Sequence, residues 1–420
     1  MDILKIQGGA RLKGKVKIAG SKNSALPIIA SALTTDKEIS LSNVPNLSDI
    51  QTMIELLQDM GADVNFDAKK NQMQIKASKL KSVRAEYEIV KKMRASVIVL
   101  GGLVARYGKA EVSLPGGCAI GARPINYHLM ALEKLGAKIE LENGYVKASV
   151  KGRLKGAEID FPKVSVGATE NTIIAASLAK GLTIINNPAR EPEIVDLANI
   201  LNSMGAKISG AGTSRIEIEG VEDLQGTNHK IIPDRIEAGT FAAASALTAG
   251  EVEITGINPE MLNSSLKVFE EMGCEIIRHK NSFSVNSPKK LKPANVATEA
   301  FPGFPTDMQA QITTMMCIAD GISTMEENIF ENRFMHVPEL QRMGANIEVS
   351  GNMLKIKGID KFTSAEVMAT DLRASVSLIL AGFNAKGITS ISRVYHLDRG
   401  YEKIEEKFEI LGGKIWREKE

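Results

Sequence analysis

A short phrase returns six times along this 420-residue chain and constrains its fold. In each copy an apolar residue precedes a glycine, a small residue, a variable residue and a β-branched residue; the six glycines are Gly61, Gly136, Gly205, Gly273, Gly344 and Gly412. The phrase is typical of a helix that ends at a left-handed glycine and is followed by a strand. The spacing of 68 to 75 residues predicts six copies of one α/β unit, too large for the turns of a solenoid.

Between the phrases lies a second recurring element, a helix rich in small residues that leads into a strand. Clear examples cover residues 24–33, 172–178, 239–247 and 374–381. Helices rich in Ala, Ser and Gly can approach one another closely. We therefore expect them in a crowded core.

Six units divide most simply into two domains of three, because single hydrophobic cores stop growing at roughly 250 to 300 residues. We expect the chain to cross between domains near residues 229–233, and its first residues to pack with the last unit. The predicted domains are residues 21–229 and residues 1–20 plus 230–420.

Composition excludes several classes of protein. A net charge of +2 is too small for a nucleic-acid binder that acts by neutralising phosphates. No basic and apolar leader opens the chain, and no apolar run reaches the roughly 18 residues of a membrane span, so we expect a cytoplasmic protein without a membrane partner. Three widely spaced cysteines argue against a disulfide framework and against zinc.

Charged residues recur where the small-residue helices are expected to begin. They are Lys22 with Asn23, Arg94, Glu170, Arg235 with Glu237, Asp307, and Asp371 with Arg373. A helix start favours anions, yet four of the six positions carry a cation. Any one of them could be solvated or ion-paired. Their recurrence favours cations that share a bound phosphate or carboxylate with the helix starts.

Cys118 lies in the most singular stretch, residues 114–124, which holds three glycines and two prolines. An exposed loop with Arg123 nearby would lower the pKa of the thiol and make it a nucleophile or a proton donor. By contrast, Cys274 occupies the small-residue slot of the phrase and Cys317 an apolar run, so both are expected in the core.

A third cluster covers residues 395–402. Arg399 precedes a glycine that lets backbone approach closely, which suits an anion. His396 could be a catalytic base, but beside an aromatic ring we favour a hydrogen-bonded structural residue.

Collinear motifs over nearly the whole length resemble the enolpyruvyl transferases, in the branch whose acceptor is UDP-N-acetylglucosamine. The matching segments are residues 20–25, 93–96, 115–118, 121–124, 304–311, 331–335, 370–375 and 398–401. The resemblance implies an α/β (α+β) fold of two domains, each with three inside-out α/β repeats. It also implies transfer of the enolpyruvyl group of phosphoenolpyruvate to the 3-hydroxyl of UDP-N-acetylglucosamine, which opens peptidoglycan synthesis, through a tetrahedral ketal that expels phosphate.

The resemblance implies a role for each catalytic candidate. Asp307 would accept or orient the hydroxyl proton, and Asp371 would be the carboxylate at the final deprotonation step. Cys118 would act as proton donor to C3, form a covalent adduct with phosphoenolpyruvate and react with fosfomycin, on a loop that closes as a lid. The residues implied around phosphoenolpyruvate are Lys22, Asn23, Arg123, Arg373 and Arg399.

The sugar nucleotide would contact a second set of residues. They are Arg94, Arg123, Pro124, Ile125, Asn126, Tyr127, Lys163, Val164, Ser165, Val166, Gly167, Asp307 and Ile329. Asn126 departs from the Asp expected near the uracil, though an amide can still donate and accept. No metal or other cofactor is expected, since cationic side chains would neutralise the phosphates.

Two other functions stay open. A synthase of 5-enolpyruvylshikimate 3-phosphate shares the fold and the donor but lacks the loop around Cys118 and the segment 163–167. A non-catalytic paralogue that binds sugar nucleotide is disfavoured by intact Lys22, Cys118, Asp307 and Arg399. The sequence does not indicate the oligomeric state.

Overall fold

A computed structural model describes residues 2–114 and 124–419 of the chain. Its α-helices are α1 (Lys22–Ser31), α2 (Ser48–Asp59), α3 (Tyr87–Val90), α4 (Val99–Tyr107), α5 (Asn126–Lys134), α6 (Val166–Ala176), α7 (Pro192–Ser203), α8 (Arg235–Leu247), α9 (Asn263–Glu271), α10 (Gln309–Met316), α11 (Val337–Arg342), α12 (Leu372–Asn384) and α13 (Ile404–Ile410). Short 3-10 helices cover Ala32–Thr34, Arg94–Ile98, Pro259–Leu262, Thr306–Met308 and Val394–Arg399.

Strands alternate with these helices along the chain. They are β1 (Asp2–Gln7), β2 (Lys13–Lys17), β3 (Glu38–Ser42), β4 (Asp63–Asp67), β5 (Gln72–Lys76), β6 (Arg84–Ala85), β7 (Lys109–Ser113), β8 (Lys138–Glu142), β9 (Tyr145–Ser149), β10 (Glu158–Asp160), β11 (Leu182–Asn186), β12 (Lys207–Ser209), β13 (Arg215–Glu219), β14 (Thr227–Lys230), β15 (Glu251–Thr255), β16 (Glu275–Arg278), β17 (Ser282–Asn286), β18 (Asn295–Ala297), β19 (Ile322–Glu326), β20 (Asn346–Ser350), β21 (Met353–Lys357), β22 (Glu366–Met368), β23 (Ile388–Ser392) and β24 (Lys414–Lys419).

The described chain forms two compact units. The first unit holds residues 20–114 and 124–232, and the second unit holds residues 2–19 and 233–419. Each unit has its own hydrophobic core. The chain passes from one unit to the other at residues 19–20 and again at residues 232–233.

Every sheet in the described chain has four strands and the same topology. The orders are β14-β3-β5-β4, β6-β7-β9-β8 and β10-β11-β13-β12 in the first unit, and β2-β15-β17-β16, β18-β19-β21-β20 and β22-β23-β1-β24 in the second. In each order the first two strands are parallel and the other two pairs are antiparallel. The predicted sixfold repeat of one α/β unit is confirmed.

Strands from distant parts of the chain complete three of these sheets. β14 adds a parallel edge to β3 in the first unit, and β2 does the same for β15 in the second. β1 lies between β23 and β24, with Leu4 opposite both Ile391 and Arg417. The second unit is therefore closed by residues from both ends of the sequence.

The small-residue helices lie inside each unit, with the sheets around them. α1, α4 and α6 pack together in the first unit, and α8, α10 and α12 do so in the second. All residues of α8 are buried, and so are all residues of α10. Buried hydroxyl groups on α8 find backbone acceptors: Thr240 donates to the Ile236 carbonyl at 2.8 Å, and Ser245 donates to the Val285 carbonyl of β17 at 2.9 Å. The expected crowded core and the inside-out arrangement are both confirmed.

The glycine of each repeated phrase adopts a left-handed conformation. The six φ angles lie between 84° at Gly412 and 102° at Gly205. Each glycine follows the end of a helix and precedes the first residues of a strand, as the phrase predicts. Cys274 and Cys317 are buried, which confirms their expected place in the core. Within the described residues, no helix has the length and apolar character needed to cross a membrane.

Candidate functional site

In the second unit, two of the charged helix starts lie on turns that precede an internal helix. Asp307 belongs to the 3-10 turn that leads into α10. Asp371 is the N-cap of α12, where its Oδ1 accepts hydrogen bonds from the backbone N–H groups of Arg373 at 2.7 Å and Ala374 at 3.1 Å. Because α10 packs against α12, the two turns lie close together.

Asp307 lies between two buried arginines. Its Oδ1 accepts from Arg333 Nη2 at 2.8 Å, and its Oδ2 accepts from Arg373 Nη2 at 2.8 Å. Burial disfavours the charge of Arg373, but Asp307 and Tyr401 outweigh it and raise the pKa of the guanidinium. The result is a partly exposed carboxylate between two fixed, buried positive charges, an arrangement suited to orient a hydroxyl or bind an anion. Arg333 lies in the matching segment 331–335, but no local pattern assigned it a role.

Arg399 ends the 3-10 helix Val394–Arg399, close to the start of α12. The preceding residue, Asp398, is held by Arg417 on β24 through bonds of 3.0 and 2.5 Å. His396 stacks on Tyr395 with ring centroids 4.3 Å apart, and its Nδ1 has no hydrogen-bond partner among the described residues. The hydrogen-bonded structural role favoured for this ring stays a prediction. Burial, with Arg399 nearby, lowers the pKa of His396.

Ile329 is 40% exposed, so a ligand can reach its side chain. Its backbone N–H donates to Glu327 Oε1 at 2.9 Å, and the next N–H, of Phe330, donates to the same oxygen at 3.1 Å. Glu327 is itself buried and holds this turn in place.

In the first unit, Lys22 is the first residue of α1 and is followed by Asn23. The Lys22 ammonium lies 3.1 Å from Asp49 Oδ2, and both side chains are at least 89% buried. Asp49 is on α2, which packs against α1. The pair holds a cation at the start of α1, and the sequence carried no signal for Asp49.

Arg94 begins the 3-10 helix Arg94–Ile98, which packs against both α1 and α6. Ser165 caps α6 by accepting from the Ala168 backbone N–H at 3.4 Å. α1, the 3-10 helix Arg94–Ile98 and α6 therefore pack against one another within the first unit.

The two segments implied for nucleotide binding also meet. α5 begins at Asn126 and packs against α6, where a Cβ on Gly167 would lie 3.2 Å from the ring of His128. Tyr127 contacts Phe161 with ring centroids 6.2 Å apart. Pro124, Lys163, Val164 and Val166 are exposed, whereas Ile125 is buried. Gly167 therefore permits close packing at this place.

No pattern in the sequence pointed to His128. Its ring is 7% exposed, and its Nδ1 has no partner among the described residues. Burial, with the charge of Arg94 nearby, lowers the pKa of His128 to about 3. The ring is neutral at physiological pH, so it adds no charge beside Arg94.

Glu170 does not mark the start of α6, and that prediction was wrong. Ser165 caps the helix earlier, so Glu170 lies in the second turn and is buried. Burial, together with Glu193 and Glu191, raises its pKa well above the ordinary value. The sequence placed the start at the charge, whereas the structure places it at the capping hydroxyl.

Cys118 and Arg123 lie outside the described residues. Among the described residues, no group of three or more His, Cys, Asp or Glu side chains is arranged to hold a metal ion.

Comparison with known families extends over almost the whole chain. The family model for EPSP synthase (3-phosphoshikimate 1-carboxyvinyltransferase) matches residues 6–408. A UDP-N-acetylglucosamine 1-carboxyvinyltransferase from Shewanella halifaxensis is 53% identical over 420 residues, which cover 100% of both chains. The protein of the same name from Geotalea uraniireducens is also 53% identical over 420 residues, again 100% of both.

Solved structures share the fold. The enolpyruvyl transferase NikO from Streptomyces tendae superposes with a TM-score of 0.90 at 25% identity, covering 99% of this chain and 98% of that one. EPSP synthase from Acinetobacter baumannii superposes with a TM-score of 0.78 at 18% identity over 100% of both chains. The second likeness concerns the fold alone.

Proposed function

We propose, from the premise that this chain belongs to the EPSP synthase family and within it to the UDP-N-acetylglucosamine 1-carboxyvinyltransferases, that it transfers the enolpyruvyl group of phosphoenolpyruvate to the 3-hydroxyl of UDP-N-acetylglucosamine. Phosphate is the second product. The observation that carries this proposal is Asp307 between the buried guanidinium groups of Arg333 and Arg373. A carboxylate held between buried cations suits an anionic donor and a hydroxyl acceptor.

The reaction requires a balanced pair of steps. In the addition, the acceptor oxygen bonds to C2 of phosphoenolpyruvate and loses its proton, while C3 gains a proton. In the elimination, the bond from C2 to the phosphate oxygen breaks, C3 loses a proton and the double bond returns. The protein must supply an acid, a base and positive charge.

In our proposal Asp307 orients the acceptor hydroxyl and can take its proton. Both of its oxygens accept from arginine at 2.8 Å, which favours the ionised form and makes it a weak base. Orientation is therefore its main contribution, and proton uptake gains driving force only as the oxygen bonds to C2. Asp371 is assigned to the final removal of the C3 proton.

Four cations are assigned to the donor. Lys22, Arg123 and Arg399 bind its phosphate, with Asn23 beside Lys22, and Arg373 binds its carboxylate. Removal of one such preorganised charged group typically costs a hundredfold or more in rate. We assign Cys118 as proton donor to C3 and as the site of a covalent adduct, and we propose that catalysis needs no other cofactor.

The sugar nucleotide is assigned to Arg94, to residues 124–127 and 163–167, and to Ile329. Two features support this assignment: the exposed side chains of Val164 and Val166, and the close packing of Gly167 on α5. We propose that the enzyme acts in the cytoplasm, at the entry to peptidoglycan synthesis.

Phosphate release with two alternative acceptors tests the proposal. With phosphoenolpyruvate as donor, we expect release with UDP-N-acetylglucosamine and none with shikimate 3-phosphate. Release only with shikimate 3-phosphate would make the protein a synthase of the other branch. Tight sugar-nucleotide binding without release would make it a non-catalytic paralogue.

Fosfomycin tests the assignment of Cys118 separately. We expect one covalent label per chain, located on Cys118, and loss of turnover. The C118A variant should take up no label, because burial raises the pKa of Cys274 to about 11 and raises that of Cys317 as well. A label on either buried cysteine would contradict this assignment.

A further inference from the structure

A chain of buried hydrogen bonds runs from Arg373 into the core of the second unit. Arg373 Nη1 lies 3.2 Å from the Tyr401 hydroxyl, which lies 2.9 Å from Thr240 Oγ1. Thr240 Oγ1 lies 2.8 Å from the Ile236 carbonyl and 3.2 Å from Gln311 Nε2. Tyr401 is 2% exposed and Thr240 is fully buried.

The direction of every bond in this chain is fixed by chemistry. A guanidinium only donates, so the Tyr401 oxygen accepts from Arg373. The Thr240 proton goes to the Ile236 carbonyl, which accepts only, so Tyr401 must donate to Thr240. The lone pair of the phenol is thereby aimed at Arg373.

Two acceptors hold the guanidinium of Arg373 at two different nitrogens. Nη2 donates to Asp307 at 2.8 Å, and Nη1 donates to Tyr401. If Arg373 exchanges its hydrogen bond to Asp307 for one to a substrate carboxylate, its hydrogen bond to Tyr401 keeps the guanidinium plane in place. Gly400 permits this geometry, because a Cβ there would lie 2.6 Å from Leu372 Cδ2 at the start of α12.

We propose that Tyr401 is a positioning residue that orients Arg373 for the carboxylate of the donor substrate. The inference rests on the proposed function, in which Arg373 binds that carboxylate. Thr240 supports it by accepting a hydrogen bond from the phenol, and Gln311 supports Thr240 by donating to its oxygen. The polar chain thus links three internal helices, α8, α10 and α12, to one substrate-binding side chain.

The test is steady-state kinetics of Y401F with phosphoenolpyruvate and UDP-N-acetylglucosamine. We expect the KM for phosphoenolpyruvate to rise about tenfold, since one hydrogen bond to a charged group is lost. The kcat should stay within about twofold, because the carboxylate is held alike in ground and transition states. The KM for UDP-N-acetylglucosamine should not change.

Three further variants separate positioning from general stability. T240V should raise the KM for phosphoenolpyruvate less than Y401F, because the phenol oxygen remains, and T240S should restore it. Y107F removes a hydroxyl that lies 3.4 Å from the Ala77 carbonyl in the first unit, and it should behave as the parent. Thermal unfolding of each variant accompanies the kinetics.

The outcomes are distinguishable. An active parent whose KM for phosphoenolpyruvate is unchanged in Y401F overturns the role of Tyr401 and leaves the proposed function standing. Equal increases in both KM values, in step with a loss of stability, also overturn it. A parent without turnover overturns both proposals.

Discussion

At the scale of single residues, the Asp307 carboxylate is the group on which the proposed chemistry most depends. D307N keeps the shape but removes the charge between Arg333 and Arg373. We expect kcat to fall at least a hundredfold. The measurement is phosphate release under saturating substrates.

The matched control for this change is D320N, which alters an exposed Asp that follows α10. It should retain parental turnover. If D307N kept more than about a tenth of the parental kcat, Asp307 would not have the role proposed for it.

The buried pair of Lys22 and Asp49 predicts that two substitutions on α2 lower the free energy of unfolding by different amounts. D49N leaves a buried ammonium without its carboxylate and should lower the free energy of unfolding by about 3 kcal/mol. E55Q, also on α2, breaks an exposed pair with Lys92 and should cost at most about 1 kcal/mol. Urea unfolding of both variants measures the difference, and equal costs would contradict the importance of burial here.

His128 predicts a pH dependence of stability. Its pKa is about 3 in the folded protein and 6.5 in the unfolded chain, so the unfolded chain binds the proton first as pH falls. This group therefore destabilises the fold progressively below pH 6.5, by up to about 1.4 kcal/mol per pH unit until pH 3.

Urea unfolding between pH 7 and pH 4 checks this expectation. H128Q should show a shallower loss of stability with falling pH than the parent. H279Q is the control, because His279 is exposed and meets solvent in both states. Parallel pH profiles for parent and H128Q would contradict the prediction.

At the scale of elements, two glycines of the repeated helix end have nearly equal φ angles but different surroundings. Gly205 has a φ of 102°, and a Cβ there would have no neighbour within 4 Å. Gly61 has a φ of 101°, but a Cβ there would lie 2.8 Å from the Lys81 backbone nitrogen. The first substitution tests conformation alone, and the second adds a clash.

We expect G205A to cost about 1 kcal/mol of unfolding free energy. G61A should cost at least about 1 kcal/mol more, because the Lys81 backbone must shift. Thermal and urea unfolding of the two variants measure this. If G205A were as costly as G61A, conformation alone would account for both positions.

The elements were predictable from sequence where local chemistry decides them. The glycine at each helix end indicates the backbone conformation there. The small residues of helices such as α8 indicate burial. The start of α6 was misplaced because Glu170 is charged yet lies inside the helix, a property that only packing reveals. The contact of Tyr401 with Thr240 joins residues 161 positions apart, and no local pattern encodes it.

At the scale of the whole molecule, the two units differ in how the chain builds them. The first unit is formed by residues that fall within 20–232, whereas the second needs β1 and β2 in addition to residues 233–419. We expect a fragment of residues 20–232 to unfold cooperatively. A fragment of residues 233–419 should aggregate, because two sheets each lack a strand.

A rearranged fragment tests this reading. Asp2 lies opposite Lys419 in the pairing of β1 with β24, so a short Gly-Ser linker can join residue 419 to residue 2. Residues 233–419 followed by the linker and residues 2–19 should give a folded monomer with native-like circular dichroism. An equally aggregated product would show that the second unit depends on more than its missing strands.

The position of β1 between β23 and β24 also orders events during synthesis. The segment that makes up the first unit leaves the ribosome early. β1 is made first of all, but its partners β23 and β24 are made last. At ordinary translation rates residues 233–419 take on the order of ten to forty seconds to make. For that interval β1 has no strand partner, and Leu4 and Ile6, which are fully buried in the finished sheet, stay exposed to solvent.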